Sequence, residues 1–169
     1  MNYSNLYLVD TINGEGLRVS LFVSGCTIHC KGCFNKEAWD FNNGKPFTTE
    51  TLHDIINTIF DSTINYSGLS ILGGEPLDNI KGLMNLVRVF KEKNEKANIK
   101  KNIWLWTGYT IDQINENTNK KSFVFSFCDY IVAGPFIEEE KDLTLRFRGS
   151  KNQHIYKVDK EKKTFELIE

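Results

Sequence analysis

Apolar positions along this chain change their spacing in a way that separates strands from helices. In "LRVSLFVSG", Val19, Leu21 and Val23 alternate with Ser20, Phe22 and Ser24. Alternation with so little polar interruption predicts a buried strand. In "TTETLHDIINTIF", Leu52, Ile55, Ile56, Ile59 and Phe60 recur at helical spacing, with Thr48 or Thr49 as the cap. "LSILGGEP" predicts a short buried strand that runs into a Gly-Gly turn. Ile80, Leu83, Met84, Val87 and Phe90 mark a second amphipathic helix. "NIWLWTG" is a third strand, and Thr110 with Gln113 forms a capping box that opens a short helix. "DYIVAGPF" reads as a fourth strand. "LTLRFRG" predicts another, with Leu143, Leu145 and Phe147 opposed to Thr144, Arg146 and Arg148. "HIYKV" and "TFELI" finish the chain as a small hairpin.

Strand and helix in alternation argue for parallel βαβ units. A complete eight-fold α/β barrel usually needs about 250 residues, and this chain has 169. The expected fold class is therefore α/β: a partial, open (βα) barrel with mostly parallel strands, built as one domain over residues 1–169. In such folds chemistry gathers at the C-terminal ends of the strands. Three segments fall there: "SGCTIHCKGCFN", "GGEP" and "WTGYT".

Composition changes this picture little. A net charge of −1 gives no global attraction to nucleic acid or to an anionic membrane. No apolar run approaches the length of a membrane span, and "MNYSNLYLVD" lacks the regions of a signal peptide. The expected location is the cytoplasm. Thiols stay reduced there, so clustered cysteines point to metal binding or catalysis rather than to disulfides.

Three of the four cysteines, Cys26, Cys30 and Cys33, fall within one loop, and Cys128 lies far downstream. Thiolates hold zinc and iron–sulfur clusters. A closed zinc site needs a fourth ligand, from His29 or Cys128. A cubane on three thiolates instead leaves one iron open to a ligand. Thiols without metal are the third reading. In "GGEP", Gly73 and Gly74 let backbone approach a ligand, Glu75 can accept hydrogen bonds from a cationic amine, and Pro76 stiffens the turn.

Cys-x3-Cys-x2-Cys followed by Phe34, with "GGEP" at the end of the next strand, resembles the radical S-adenosylmethionine (SAM) enzymes. "NGEGLRVSLFVSGCTIHCKGCFN", "GGEP", "WTGYT", "AGPF" and "RFRGSKNQ", spread from Asn13 to Gln153, are similar to the activating components of anaerobic ribonucleoside-triphosphate reductase. This resemblance implies a [4Fe–4S] cluster on Cys26, Cys30 and Cys33, with SAM chelating the open iron. It implies reductive cleavage of SAM to a 5′-deoxyadenosyl radical, which takes hydrogen from a glycine of the reductase and leaves a glycyl radical there. Gly73, Gly74 and Glu75 are then expected at the methionine amino group. Gly32, Cys33 and Phe34 are expected along the adenine, and Thr107 is a further SAM contact. No catalytic residue is implied beyond the cluster and SAM. The implied partners are the reductase large subunit and a reducing electron donor such as flavodoxin, with no nucleic acid and no membrane. A partner that closes the open barrel with its glycine loop fits so short a chain.

Two other functions compete. Another small radical SAM enzyme, such as a 7-carboxy-7-deazaguanine synthase, shares an early "GEG" and "GGEP". A zinc-binding adaptor would use the cysteines without catalysis. Among the remaining marked residues, His29 reads as a solvated spacer. Lys31 softens a cluster's charge or is simply exposed. Cys128, Trp104 and Trp106 read as core. Arg146 and Arg148 share a strand face, for surface ion pairs or for an acidic partner.

Overall fold

Strand β2 (Arg18–Val23) sorts its side chains between two faces: Val19, Leu21 and Val23 on one, Arg18, Ser20 and Phe22 on the other. The same alternation runs through β4 (Gly68–Gly73), β5 (Asn102–Thr107) and β6 (Tyr130–Ala133). One face carries Leu69, Ile71, Ile103, Leu105 and Ile131. It packs under helices α1 (Thr49–Ile59), α2 (Ile80–Lys96), α3 (Ile111–Glu116) and α4 (Thr118–Phe127), which contribute to the same core. The opposite face bears no helix. There Trp104 and Val132 pack with Ile155, flanked by Trp106, Tyr130 and Phe147. These contacts come from a computed structural model that describes all 169 residues.

Edge strands complete the sheet: β1 (Asn2–Asp10) and β3 (Lys45–Pro46) on one side, β7 (His154–Asp159) and β8 (Thr164–Leu167) on the other. The order is β3-β1-β2-β4-β5-β6-β7-β8, an open sheet whose two edges do not meet. Only β2–β4, β4–β5 and β5–β6 pair in parallel. The other four pairings are antiparallel, so the expectation of mostly parallel strands is corrected. The reason lies in the connections. The turn between β1 and β2 is too short for a helical crossover, and β7–β8 is the expected hairpin. The parallel units occupy the centre alone.

"LTLRFRG" is not a strand. Residues 141–149 form turns closed by an isolated bridge between Lys141 and Ser150. They run over the helix-free face instead of joining the sheet. Trp106 Nε1 donates to the Phe147 carbonyl at 2.8 Å, the Phe147 ring meets Trp104 edge-on at 5.3 Å, and Leu143 stands 80% exposed. Phe147 has φ +57°, a left-handed backbone that a strand does not contain. Local expectations elsewhere hold. Thr48 Oγ1 accepts from Thr51 N at the start of α1, and Thr110 and Gln113 form the capping box of α3. No helix is long and apolar enough to cross a membrane.

Candidate functional site

The cysteine loop leaves β2 at Ser24 and is fastened to two neighbours through backbone. Gly25 takes φ +103°, and its N–H donates to the Ala38 carbonyl at 2.8 Å. Cys26 N donates to the Trp39 carbonyl at 3.1 Å. On the other side Gly74 N donates to Val23 O at 2.7 Å, and Glu75 N donates to Gly25 O at 2.8 Å. A Cβ on Gly74 would lie 2.6 Å from Gly25 O and 2.8 Å from Ala38 O, closer than folded chains tolerate. A Cβ on Gly73 would meet the backbone of Phe22 and Val23 at 2.7 Å. The close approach these two glycines permit is therefore to the chain's own β2 and cysteine loop.

Side chains tighten the same joint. Asn79 Nδ2 donates to both Gly25 O (3.1 Å) and Glu75 O (3.0 Å). Asp78 Oδ2 accepts from the N–H and hydroxyl of Thr27, at 2.9 and 2.8 Å. Its other oxygen accepts from the Tyr109 hydroxyl at 2.7 Å, and Lys120 Nζ stands 3.6 Å away. Burial, with Asp78 and Glu75 nearby, pushes the Tyr109 phenol up to about 12. Asp78, Asn79 and Tyr109 were not singled out by sequence pattern. Their only signal was adjacency to "GGEP" and membership of "WTGYT".

Glu75 is 1% exposed. Its Oε1 accepts from Leu77 N (2.9 Å) and Thr107 Oγ1 (2.8 Å), and its Oε2 from Gly108 N (2.8 Å). Burial raises its carboxyl to about 7 against these three donors. No Lys, Arg or His pairs with it. Thr107 is itself buried, and its hydroxyl is committed to Glu75.

All four cysteines are free thiols. Cys26 is buried, while Cys30 and Cys33 are half-buried. Burial raises the Cys26 thiol, and backbone N–H groups of His29 and Ile28 pull it down. Burial also raises Cys30, opposed by the Phe136 N–H of "AGPF". Backbone N–H groups aimed at sulfur stabilise thiolate, the form a metal requires. No three His, Cys, Asp or Glu side chains gather to hold one metal ion. Three free thiols share this loop, and thiolate is the usual ligand of an iron–sulfur cluster.

Phe34 is 93% exposed, with its ring free. Gly32 lies against the Glu138 side chain, and Lys31 pairs with Glu139 at 2.6 Å. His29 is exposed, takes φ +54° and stacks on Trp39 at 4.4 Å, so it shapes the loop. Cys128 is fully buried beside the N-terminal end of β6, away from the cysteine loop. Trp104 and Trp106 stack at 5.7 Å on the face they share. Arg146 and Arg148 share no strand face, and both reach Glu169, at 3.1 and 3.0 Å; Arg146 also pairs with Glu15.

The family described as "4Fe-4S single cluster domain" matches residues 12–156. The anaerobic ribonucleoside-triphosphate reductase-activating protein of Haemophilus influenzae is 41% identical over 160 residues, covering 93% of this chain and 98% of that protein. The chain belongs to this family of activating proteins. The activating protein of Escherichia coli (strain K12) is 39% identical over 92% of this chain and 98% of its own length. That of enterobacteria phage T4 is 37% identical over 92% and 94%. The 4Fe-4S match supports an iron–sulfur cluster in this member of the activating-protein family, and it spans every segment of the joint described above.

Proposed function

We propose that this chain activates an anaerobic ribonucleoside-triphosphate reductase as a radical SAM enzyme, with Cys26, Cys30 and Cys33 holding a [4Fe–4S] cluster. One observation carries the reading: the three-thiol loop is locked, backbone to backbone, to the turn that presents buried Glu75. When bound, the cluster and SAM supply one-electron cleavage chemistry that oxidises a glycine of the reductase to its radical.

This chain's residues bind, orient and exclude water. A carboxylate offers about four acceptor sites. Three at Glu75 are filled, which leaves Oε2 with capacity for an amine. Thr107 acts through Glu75 by fixing Oε1. Gly73 and Gly74 bring the turn down onto the loop, beside the methionine end of SAM. Gly32, Cys33 and the free Phe34 ring serve the adenine. The parallel strands at the centre of the open sheet support a partial barrel of the radical SAM type. Beyond Tyr3, β1 has no partner on its outer edge, and Tyr7, Val9 and Ile12 are exposed near it. A partner's glycine loop reaching the helix-free face from this side would cover them. The cytoplasm is the proposed setting.

Anaerobic reconstitution tests the reading. The chain should take up about four irons, with matching acid-labile sulfide, and should cleave SAM when reduced. Cys30→Ala should lose both properties. Zinc without iron, or full SAM cleavage by Cys30→Ala, contradicts the assignment.

A further inference from the structure

A second feature lies on the helical side of the sheet. A groove of about 980 Å³ runs between α2 and α4 and is walled at one end by Phe41 and Asp78. Its charged lining is Asp78, Lys81, Arg88 and Lys120. Asp78 is turned inward and consumed by Thr27, Tyr109 and Lys120. Lys81 and Arg88 are exposed and form no ion pair. Lys91, one helical turn beyond Arg88, lies over the Phe127 ring and extends the track. Within the groove lining Asp78 is the one acid and is paired with Lys120, so the lining's unpaired charges are cationic.

The groove also touches the cysteine loop on both sides of Cys26. The Phe41 ring packs on Gly25, and Asp78 binds Thr27 through two hydrogen bonds. The cluster reading, on which this inference rests, requires an electron from outside, because the chain holds no second group of cysteines. The groove opens on the helical side, so a protein seated there leaves the helix-free face clear for the reductase.

We propose that this groove docks an acidic one-electron carrier protein. The carrier is oxidised by one electron and the cluster is reduced by one; no atom or proton crosses. Unpaired cations at the rim attract the carrier and raise its association rate, an effect that weakens as salt screens it.

The test uses reconstituted chain and reduced flavodoxin, followed by stopped-flow absorbance of the cluster at low and high salt. The double variant Lys81→Glu, Arg88→Glu should slow cluster reduction by flavodoxin roughly tenfold at low salt and flatten the salt dependence. Cluster content, reduction by dithionite and dithionite-driven SAM cleavage should be unchanged. An unchanged rate with flavodoxin in a variant of full cluster content overturns the docking assignment alone. Loss of reductase binding with flavodoxin reduction intact overturns it too, and gives the groove to the reductase. Failure of the parent chain to hold any cluster removes both this inference and the function beneath it.

Discussion

Two buried charges sit at opposite ends of the parallel strands, and neither has a counter-ion. Arg18, at the N-terminal end, is fully buried. Its guanidinium donates to Ser70 Oγ at 2.7 Å and to the carbonyls of Leu69, Glu15 and Asn102 at 2.8, 3.1 and 3.2 Å, with the Trp104 ring 5.8 Å away. Burial lowers it to about 10, so it stays cationic at neutral pH. Glu75, at the C-terminal end, is held by three donors yet raised to about 7. Arg18 stitches three segments of the chain at the end of the strands opposite the cysteine loop. Glu75 is poised at neutral pH beside the cysteine loop, and a ligand's amine would supply the positive charge it lacks. On the proposed function, the difference separates a charge that serves folding from one kept for binding.

Arg18→Met should break the first half of this comparison with the largest effect. It takes the guanidinium donor from three carbonyls, while the Ser70 hydroxyl keeps its bond to the Asn13 carbonyl, at a cost on the order of 3 kcal/mol or more. Denaturant unfolding should show the loss, while the folded fraction keeps its affinity for SAM. A lost SAM site in stably folded Arg18→Met would place this residue in binding after all.

Glu75 should reveal itself through pH. Its folded pKa of about 7 lies above the ordinary 4.5, so between these values the folded state binds more protons than the unfolded state. Stability therefore falls as pH rises through this window, by about 3 kcal/mol in total. Unfolding midpoints from pH 4.5 to 7.5 should trace that slope, and Glu75→Gln should flatten it. The same variant should bind SAM at least tenfold more weakly, about 1.4 kcal/mol. A flat parent profile would mean that the three donors fully offset burial.

Gly74→Ala carries a smaller effect, about 1–3 kcal/mol of strain, because its new Cβ presses on the carbonyls of Gly25 and Ala38. Cluster retention should fall together with SAM binding. Loss of SAM binding alone, with iron retained, would make this glycine a ligand contact and not a structural joint.

What was legible in the sequence was local or carried by motif. The alternation of β2, the stripes of α1 and α2, and the Thr110–Gln113 box each depend on residues a few positions apart, and each formed as expected. The cysteine loop and "GGEP" announced themselves by residue type. Strand β1 was invisible because an edge strand with half-exposed residues has no apolar rhythm of its own. Helix α4 buries Phe123, Val124 and Phe125 consecutively, a run without helical spacing. "LTLRFRG" had strand alternation but broke into turns, with Phe147 in a left-handed backbone. At the site, the bonds Asp78–Thr27 and Thr107–Glu75 cross 51 and 32 residues, and no spacing rule reaches that far.

Electron paramagnetic resonance on the assembled system tests the central claim most directly. Reconstituted chain, reductant, SAM and an anaerobic ribonucleoside-triphosphate reductase should yield a glycine-centred radical on the reductase and none on this chain. The signal should vanish when Cys30→Ala replaces the parent. A glycyl radical that persists with Cys30→Ala, or no protein radical from a chain with a full cluster and bound SAM, would contradict the account.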